Sequence, residues 1–461
     1  MLAKQLKHDF INSKNIIAEM EKPGKVEMWS YGLGSFGIFS VWTLLGAFLT
    51  FYYTDVAGLA ATSVGTLMLV ARLFDGITDF GMGSLVDVTK SKHGKARPWL
   101  LWMSFPLGAT TILLFSVPNI SDSGKIIYAY ATYLIFILLY TAVSIPYKTL
   151  LGVMTQDQNS RSQANVYAGI FIMTGTLVVM TLTQPLAAAI GWTMLAVIYG
   201  LITVAALYIT FRKVKERSSS YANGQIEKVS AKQGFIALSK NKYWMIITVY
   251  CIAFYATTAL TQGAALYYSQ WILGNLAYFP LYGLAVALPM LLGMFFLTPL
   301  VKRFGKRNLA IFGSLLYIVA QLIKMTDPSN LTVFLTGSAL AGIGAIPAIA
   351  LLFAMINDTV EYGEYKSGVR TEGLVNSGAS FGIKVGTGLG LALIGWLLGF
   401  GGYVGGAAEQ SALSIQMILA LNLYIPLGLA VLQLILMILF KLDKEYPVVL
   451  AELQKRKMMK M

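Results

Sequence analysis

Charge is what this sequence most lacks. Only 12% of its 461 residues are Asp, Glu, Lys or Arg, about half the usual share in soluble proteins. Hydrophobic residues make up 56%. A soluble fold of this length needs polar surface that the chain does not have. Cysteine occurs once, as Cys251, so no intramolecular disulfide can form. Histidine occurs twice, as His8 and His93, both outside the apolar runs. That removes a histidine relay from the bilayer. There is no G-x-x-x-x-G-K-[ST] phosphate loop, no paired metal motif and no nucleophile triad. These absences exclude a soluble enzyme, a disordered chain and a fibrous one, and they argue against ATP-driven transport by this chain alone. No catalysis and no cofactor are expected. A polytopic membrane protein remains.

Long apolar runs are what the chain has instead. Runs able to cross about 30 Å of hydrocarbon predict twelve helices, at 28–54, 58–88, 98–118, 125–154, 162–187, 191–211, 243–273, 277–301, 308–325, 328–356, 373–401 and 411–441. Orientation follows from the basic residues. With both termini in the cytoplasm, thirty of the 35 Lys and Arg lie in cytoplasmic segments. Lys125 and Lys324 fall outside, and Arg72, Lys148 and Lys384 fall within spans. The net charge of +14 therefore reports orientation in a cell membrane, and no nucleic-acid partner is expected. Lys4, Lys7, His8 and Asp9 precede any apolar run, unlike a cleavable signal peptide.

The polar segment 212–242 divides the chain. It gives an N-terminal extension (1–27), a six-helix half (28–211), a cytoplasmic central loop (212–242), a second six-helix half (243–441) and a cytoplasmic tail (442–461). The mixed charge before Trp29 suggests a surface helix. Gly94-Lys95 with Arg97 follows the second span, and Gly305-Lys306-Arg307 follows the eighth, as equivalent loops of two repeats. Two parallel halves are the major-facilitator arrangement, with substrate held between them near the midplane.

Charges retained inside the bilayer cost roughly 2.5–3.5 kcal/mol each at its centre on insertion scales. In the second span Arg72, Asp75 and Asp79 fall at i, i+3 and i+7, on one helix face. Asp79 lies ~15 Å from Lys90 at the rise of an α-helix, near the midplane. Two carboxylates four residues apart cannot both stay ionised and unpaired in a low dielectric. Either a proton or a bridging cation such as Na+ neutralises them, which describes a coupling-ion site, or Arg72 and Lys384 neutralise them structurally. Lys384 sits at similar depth in the eleventh span, beside a stripe of Gly378, Gly382, Gly386 and Gly390 that permits close helix approach. In the fourth span Tyr140, Thr141 and Ser144 precede Pro146, which frees a backbone carbonyl. Hydroxyl and carbonyl oxygens suit both a hard cation and a polyol, though a threonine in a membrane helix also bonds its own backbone. Lys148 can donate to a substrate or snorkel to the interface. Asp55, after Phe51-Tyr52-Tyr53, reads as a gating acid or as an exposed loop-entry acid.

At these residues the chain resembles the glycoside–pentoside–hexuronide:cation symporter family. The matching motifs are Tyr52-Tyr53-Thr54-Asp55-Val56, Val70-Ala71-Arg72-Leu73-Phe74-Asp75 with Asp79, and Gly94-Lys95 with Arg97-Pro98-Trp99. They continue with Ser144-Ile145-Pro146-Tyr147, Met154-Thr155-Gln156, Asp358-Thr359-Val360-Glu361-Tyr362-Gly363-Glu364 and Gly368-Val369-Arg370-Thr371-Glu372-Gly373. They run in family order across nearly the whole chain. The resemblance implies an all-α major-facilitator fold and symport of a sugar with Na+, Li+ or H+. The cation-site carboxylates of the family's melibiose permease fall on Asp75 and Asp79, its cation-site threonine on Thr141, its helix 2 arginine on Arg72 and its helix 11 lysine on Lys384. Its cation-site asparagine is Thr78 here, which leaves H+ open beside Na+. Its galactoside-binding aspartates fall on Phe39 and Ser144, and its stacking tryptophan on Lys148.

The expected assignment is therefore a cation-coupled sugar symporter, monomeric in function, working by alternating access. Asp75, Asp79, Thr78 and Thr141 serve the cation. Arg72, Tyr140, Ser144, Lys148, Ser380 and Lys384 serve the sugar. Asp55, Asp87, Asp358, Glu361, Glu364, Arg370 and Glu372 serve gating. A symporter of a non-sugar solute and a transport-inactive sensor are the competing readings.

Overall fold

The computed structural model describes residues 22–155, 157–217, 238–369 and 371–458. The N-terminal extension before residue 22, the centre of the loop at 218–237, and Arg370 lie outside them. The described residues are helical, and no strand occurs among them.

In the first part of the chain α1 is Lys25–Leu44, α2 Ala61–Val88, α3 Arg97–Leu114, α4 Asp122–Met154, α5 Gln158–Ile190 and α6 Trp192–Lys213. In the second, α7 is Lys242–Trp271, α8 Phe279–Met294, α9 Lys306–Thr326, α10 Leu331–Ser367 and α11 Glu372–Phe400. Helix α12 starts as Ala412–Leu419 and continues as Ile425–Leu439, and α13 is Leu442–Met458. Wide π turns at Leu45–Leu49 and Tyr52–Val56 prolong α1, and another, Ala420–Tyr424, joins the parts of α12. Helices answer the bilayer's demand that backbone groups be satisfied internally. Side chains close their free amino ends: Ser121 accepts from the Gly124 amide, Asn241 from Trp244 and Ser411 from Ser414. Gly191 and Gly305, at φ +81° and +79°, turn the chain straight from one helix into the next.

Among the described residues, ten helical segments are long and apolar enough to cross a membrane. Helices α2 and α3 are not among them. Arg72, Asp75, Asp79 and Asp87 dilute the apolarity of α2, and Arg97, Pro98 and Pro106 that of α3.

The described residues form two compact units, 22–44 with 77–217 and 45–76 with 238–458. In the first, α1 lies against α5 and α6, and α3 against α4 and α6. In the second, α11 packs against α7 through the predicted glycine stripe. Gly378, Gly382, Gly386 and Gly390 meet Trp244, Thr248, Ile252 and Ala256 in turn. A second small-residue row on α11 receives the early part of α2: a Cβ on Gly65 would stand 2.7 Å from the Ala392 carbonyl oxygen. Both rows are close-packing devices.

The structure departs from expectation in two places and adds detail in two more. The run 277–301 breaks at Phe295–Phe296, leaving the short helix Leu297–Phe304, because the Pro299 ring collides with the carbonyl four residues earlier. Helix α10 runs on to Ser367, so Asp358, Glu361 and Glu364 stand on a helix and not in a loop. The tail from residue 442 is helical, and its Leu442, Val449 and Leu453 join a buried cluster with Tyr243 and Tyr362. Lys324, assigned by the basic-residue count to the exterior side, is buried: Gly337 makes room for its stem, and its ammonium lies 5.2 Å over the Phe334 ring.

Candidate functional site

Helix α2 bears Arg72, Asp75, Thr78 and Asp79. Within the second unit, Lys384 of α11 donates to the Asp75 backbone carbonyl at 2.7 Å, and its ammonium stands 3.2 Å from the Asp75 carboxylate. The Asp75 side chain is 5% exposed and that of Lys384 17%. Removing one partner of so enclosed a pair strands the other charge, at a cost of about 3–5 kcal/mol. Arg72 is buried beside them, and a Cβ on Gly388 of α11 would stand 2.9 Å from the Arg72 Cβ. The expected association of Asp75 with Lys384 is therefore a contact.

Within the first unit, the Thr78 and Thr141 hydroxyls lie 3.4 Å apart. Thr141, Tyr140 and Ser144 are buried. The Tyr140 ring stacks on Trp42 with centroids 4.5 Å apart. Asp79 is half-buried on the helix that carries Thr78, whereas Lys148 and Ser380 are exposed. Phe39, on α1, is also partly exposed. Two threonine hydroxyls beside a carboxylate-bearing helix are hard oxygen donors of the kind that Na+, a hydronium ion or a sugar hydroxyl accepts.

The candidate gating residues divide by surroundings. Asp55 belongs to a hydrogen-bonded group in the second unit. Its Oδ1 accepts from the Tyr403 hydroxyl at 2.6 Å and its Oδ2 from the Thr54 hydroxyl at 2.7 Å. Thr54 meets the Tyr267 hydroxyl at 2.7 Å, and Tyr403 accepts from Trp271 Nε1 at 2.9 Å. Asp358 of α10 pairs with Lys306. Asp87 is exposed and pairs with Lys95 at 2.9 Å. Glu361 and Glu364 are partly buried on the last turns of α10, and Glu372 is exposed in the first turn of α11.

Several residues that matter here escaped sequence reasoning. Glu216 accepts from the Lys95, Ala96 and Arg97 amides at 2.8–2.9 Å, closing the amino end of α3. Arg217 holds Glu27 with two bonds of 2.7 Å. Asp443 accepts from the Arg307 amide at 3.0 Å, at the start of α9. The usable signal was the repeated Gly-Lys-x-Arg and Gly-Lys-Arg, each followed far downstream by an acid five residues past a helix-end carbonyl. Asp157 caps α5 through the Ser160 amide and hydroxyl, which hold its carboxyl below the usual carboxylate range.

Comparison with known proteins adds to this geometry. The family model for the MFS/sugar transport protein matches residues 30–444. The isoprimeverose transporter of Lactiplantibacillus pentosus is 32% identical, with 93% of this chain and 91% of that protein covered. A putative glycoside/cation symporter of Escherichia coli is 31% identical, with 89% and 91% covered. Among solved structures, a bacterial homologue of the human lysosomal transporter Spinster superposes with a TM-score of 0.64 at 13% identity. It covers 92% of this chain and 97% of that one, a likeness of fold alone.

Proposed function

We propose a cation-coupled sugar symporter, on the premise that this chain belongs to the MFS/sugar transport protein family. Like its relatives it is a multi-pass inner-membrane transporter of the bacterial type and not an enzyme. The proposal adds twelve spans, both termini in the cytoplasm, and uptake of a glycoside, pentoside or hexuronide with H+ or Na+. The single observation that carries it is the enclosed Asp75–Lys384 pair on a helix that also bears Arg72 and Asp79. Burying that much charge in a bilayer is costly unless it is used.

The mechanism is alternating access. Asp75 and Asp79, one helical turn apart, take the proton or cation, with Thr78 and Thr141 as neutral oxygen donors. Filling that site lowers the net negative charge of the α2 face and favours sugar binding. Linkage then requires that sugar strengthen cation binding equally. Arg72, Lys384, Tyr140, Ser144, Lys148 and Ser380 are the candidate sugar contacts. Phe39 and Ser144 stand where a galactoside-binding relative has aspartates, which favours recognition by hydroxyls and rings over carboxylates. The same two positions support a second reading, a non-sugar solute on the same scaffold.

Uptake into proteoliposomes under imposed proton or sodium gradients tests both readings. Gradient-dependent flux of a glycoside, pentoside or hexuronide is expected. Absence of flux with every such sugar sinks the sugar assignment. Asp79→Asn is expected to abolish uphill accumulation while leaving solute exchange. Unchanged accumulation in that variant removes Asp79 from coupling.

A further inference from the structure

The network around Asp55 is ordered by its carboxylate, which only accepts. The Tyr403 and Thr54 hydroxyls donate to it at 2.6 and 2.7 Å, a shorter contact for Thr54 than its 3.1 Å approach to the Thr50 carbonyl. Thr54 has then no proton left for Tyr267, so Tyr267 donates to Thr54 at 2.7 Å. Tyr403 in turn accepts from the Trp271 indole N–H at 2.9 Å. Two chains, Trp271 to Tyr403 and Tyr267 to Thr54, thus converge on a single carboxylate. Bonds to an ionised acceptor are the stronger kind, and members of such a chain polarise one another.

The elements involved matter as much as the bonds. Thr54 and Asp55 lie in the last π turn of the first helix. Tyr267 and Trp271 end α7, and Tyr403 lies in the glycine-rich loop after α11. Gly405 of that loop lies against the Thr54 carbonyl, with no room for a Cβ. Phe51 and Tyr267 add an edge-on ring contact at 5.5 Å. The first helix begins in the other unit, at residues 25–44. One helix is thus tied at its far end to the close of α7 and to the loop after α11.

We propose that Asp55, Thr54, Tyr267, Trp271 and Tyr403 form a latch on the outer side, which holds the transporter closed to the exterior and must unfasten before solute enters. The latch rests on the alternating-access reading and is independent of which solute is carried. Its material suits the task. The hydroxyls and the indole can exchange protein partners for water when the site opens, so the assembly is held when closed and separable when opened.

Thiol labelling tests it without any substrate. An added Cβ at Gly46, in the wide turn nearer the middle of the helix, meets nothing within 4 Å. Gly46→Cys in a Cys251→Ala background provides a reporter, probed in right-side-out vesicles with a membrane-impermeant maleimide. Tyr403→Phe deletes one donor and keeps the ring, and Asp55→Asn removes the charge. Each is expected to raise the external labelling rate on the order of tenfold, the effect of losing one charge-assisted bond. The double variant is expected to gain little over either single, because both break the same chain. Tyr267→Phe, on the other chain, is expected to raise labelling as well. Unchanged labelling in folded, membrane-inserted Tyr403→Phe and Asp55→Asn overturns the latch. So does labelling that rises additively in the double variant, which marks general loosening. Failure of sugar uptake with labelling increased leaves the latch standing and rejects only the sugar.

Discussion

The loop entering α3 and the loop entering α9 carry Gly94-Lys95-Ala96-Arg97 and Gly305-Lys306-Arg307, and each is fastened in its own way. In both, the arginine reaches back to the end of the sixth helix of its repeat. Arg97 donates to the Phe211 carbonyl at 2.7 and 3.2 Å, and Arg307 to the Met437 and Ile438 carbonyls at 3.0 and 2.7 Å. Those carbonyls have no partner within their helices. In both, an acid beyond that helix closes the amino end of the third, where the helix dipole favours negative charge. The weights differ. Glu216 satisfies three amides and Asp443 one. The lysines reverse the order: Lys306 pairs with the 14%-exposed Asp358, whereas Lys95 pairs with the 70%-exposed Asp87. One plan, used twice, has its energy in the acid on one side and in the lysine on the other.

Substitutions at matched positions can break this comparison. The largest effect is expected at the acids. Glu216→Ala leaves three amides without acceptor and costs about 3 kcal/mol, against about 1 kcal/mol for Asp443→Ala. Unfolding of the purified variants in micelles measures both, and equal losses refute the unequal weighting. The lysines come next and in the opposite sense. Lys306→Met is expected to cost about 2 kcal/mol by stranding Asp358, and Lys95→Met less than about 0.5 kcal/mol. The same melts rank them, and a larger loss from Lys95→Met reverses the argument. The smallest effect concerns pH. Asp157 caps α5, whereas Thr371, at the equivalent start of α11, makes no side-chain cap bond. The Asp157 carboxyl is held below its ordinary value of 3.8, so its contribution is complete above that value and is lost as pH falls through the lowered one. Amide exchange at the first turn of α5 is expected to accelerate on acidification below about pH 4, with no matching change at α11. Parallel acceleration at both helices discounts the cap.

Much of the fold was legible because the bilayer imposes a single rule, helices of a given length, and apolar runs report it directly. What was not legible depended on local or distant detail. Pro299 splits the eighth run, a break that hydropathy averages away. Helix α13 is too polar for a span, and its burial is visible only once Tyr243 and Tyr365 are in place: Glu445 accepts from Tyr243, and Arg456 donates to the Tyr365 carbonyl at 3.1 Å. Of the candidate site, the Asp75–Lys384 contact was readable because intramembrane charges are few and must find one another. The pairing of Thr78 with Thr141 was suggested only by the family resemblance. Glu216 and Asp443 were invisible because their partners are main-chain amides, which carry no residue identity. The burial of Lys324 was not legible because its length lets the stem run inward beneath a glycine while sequence position places it at a helix end.

The wide turns of the first helix have a consequence for how this chain can change over generations. A π turn spends one residue more per turn than an α-helix needs, and such turns are rare outside functional positions. Leu45–Leu49 and Tyr52–Val56 therefore each hold a surplus residue that a neighbouring turn could expel. Loss of one residue there would let the helix relax to ordinary winding, and the side chains on either side of the turn would keep their facing. Residues beyond the lost one would keep their neighbours while the backbone of the turn closed up. The spare residues are slack in the thread, and they let the far end of the first helix absorb a single deletion without unravelling the molecule.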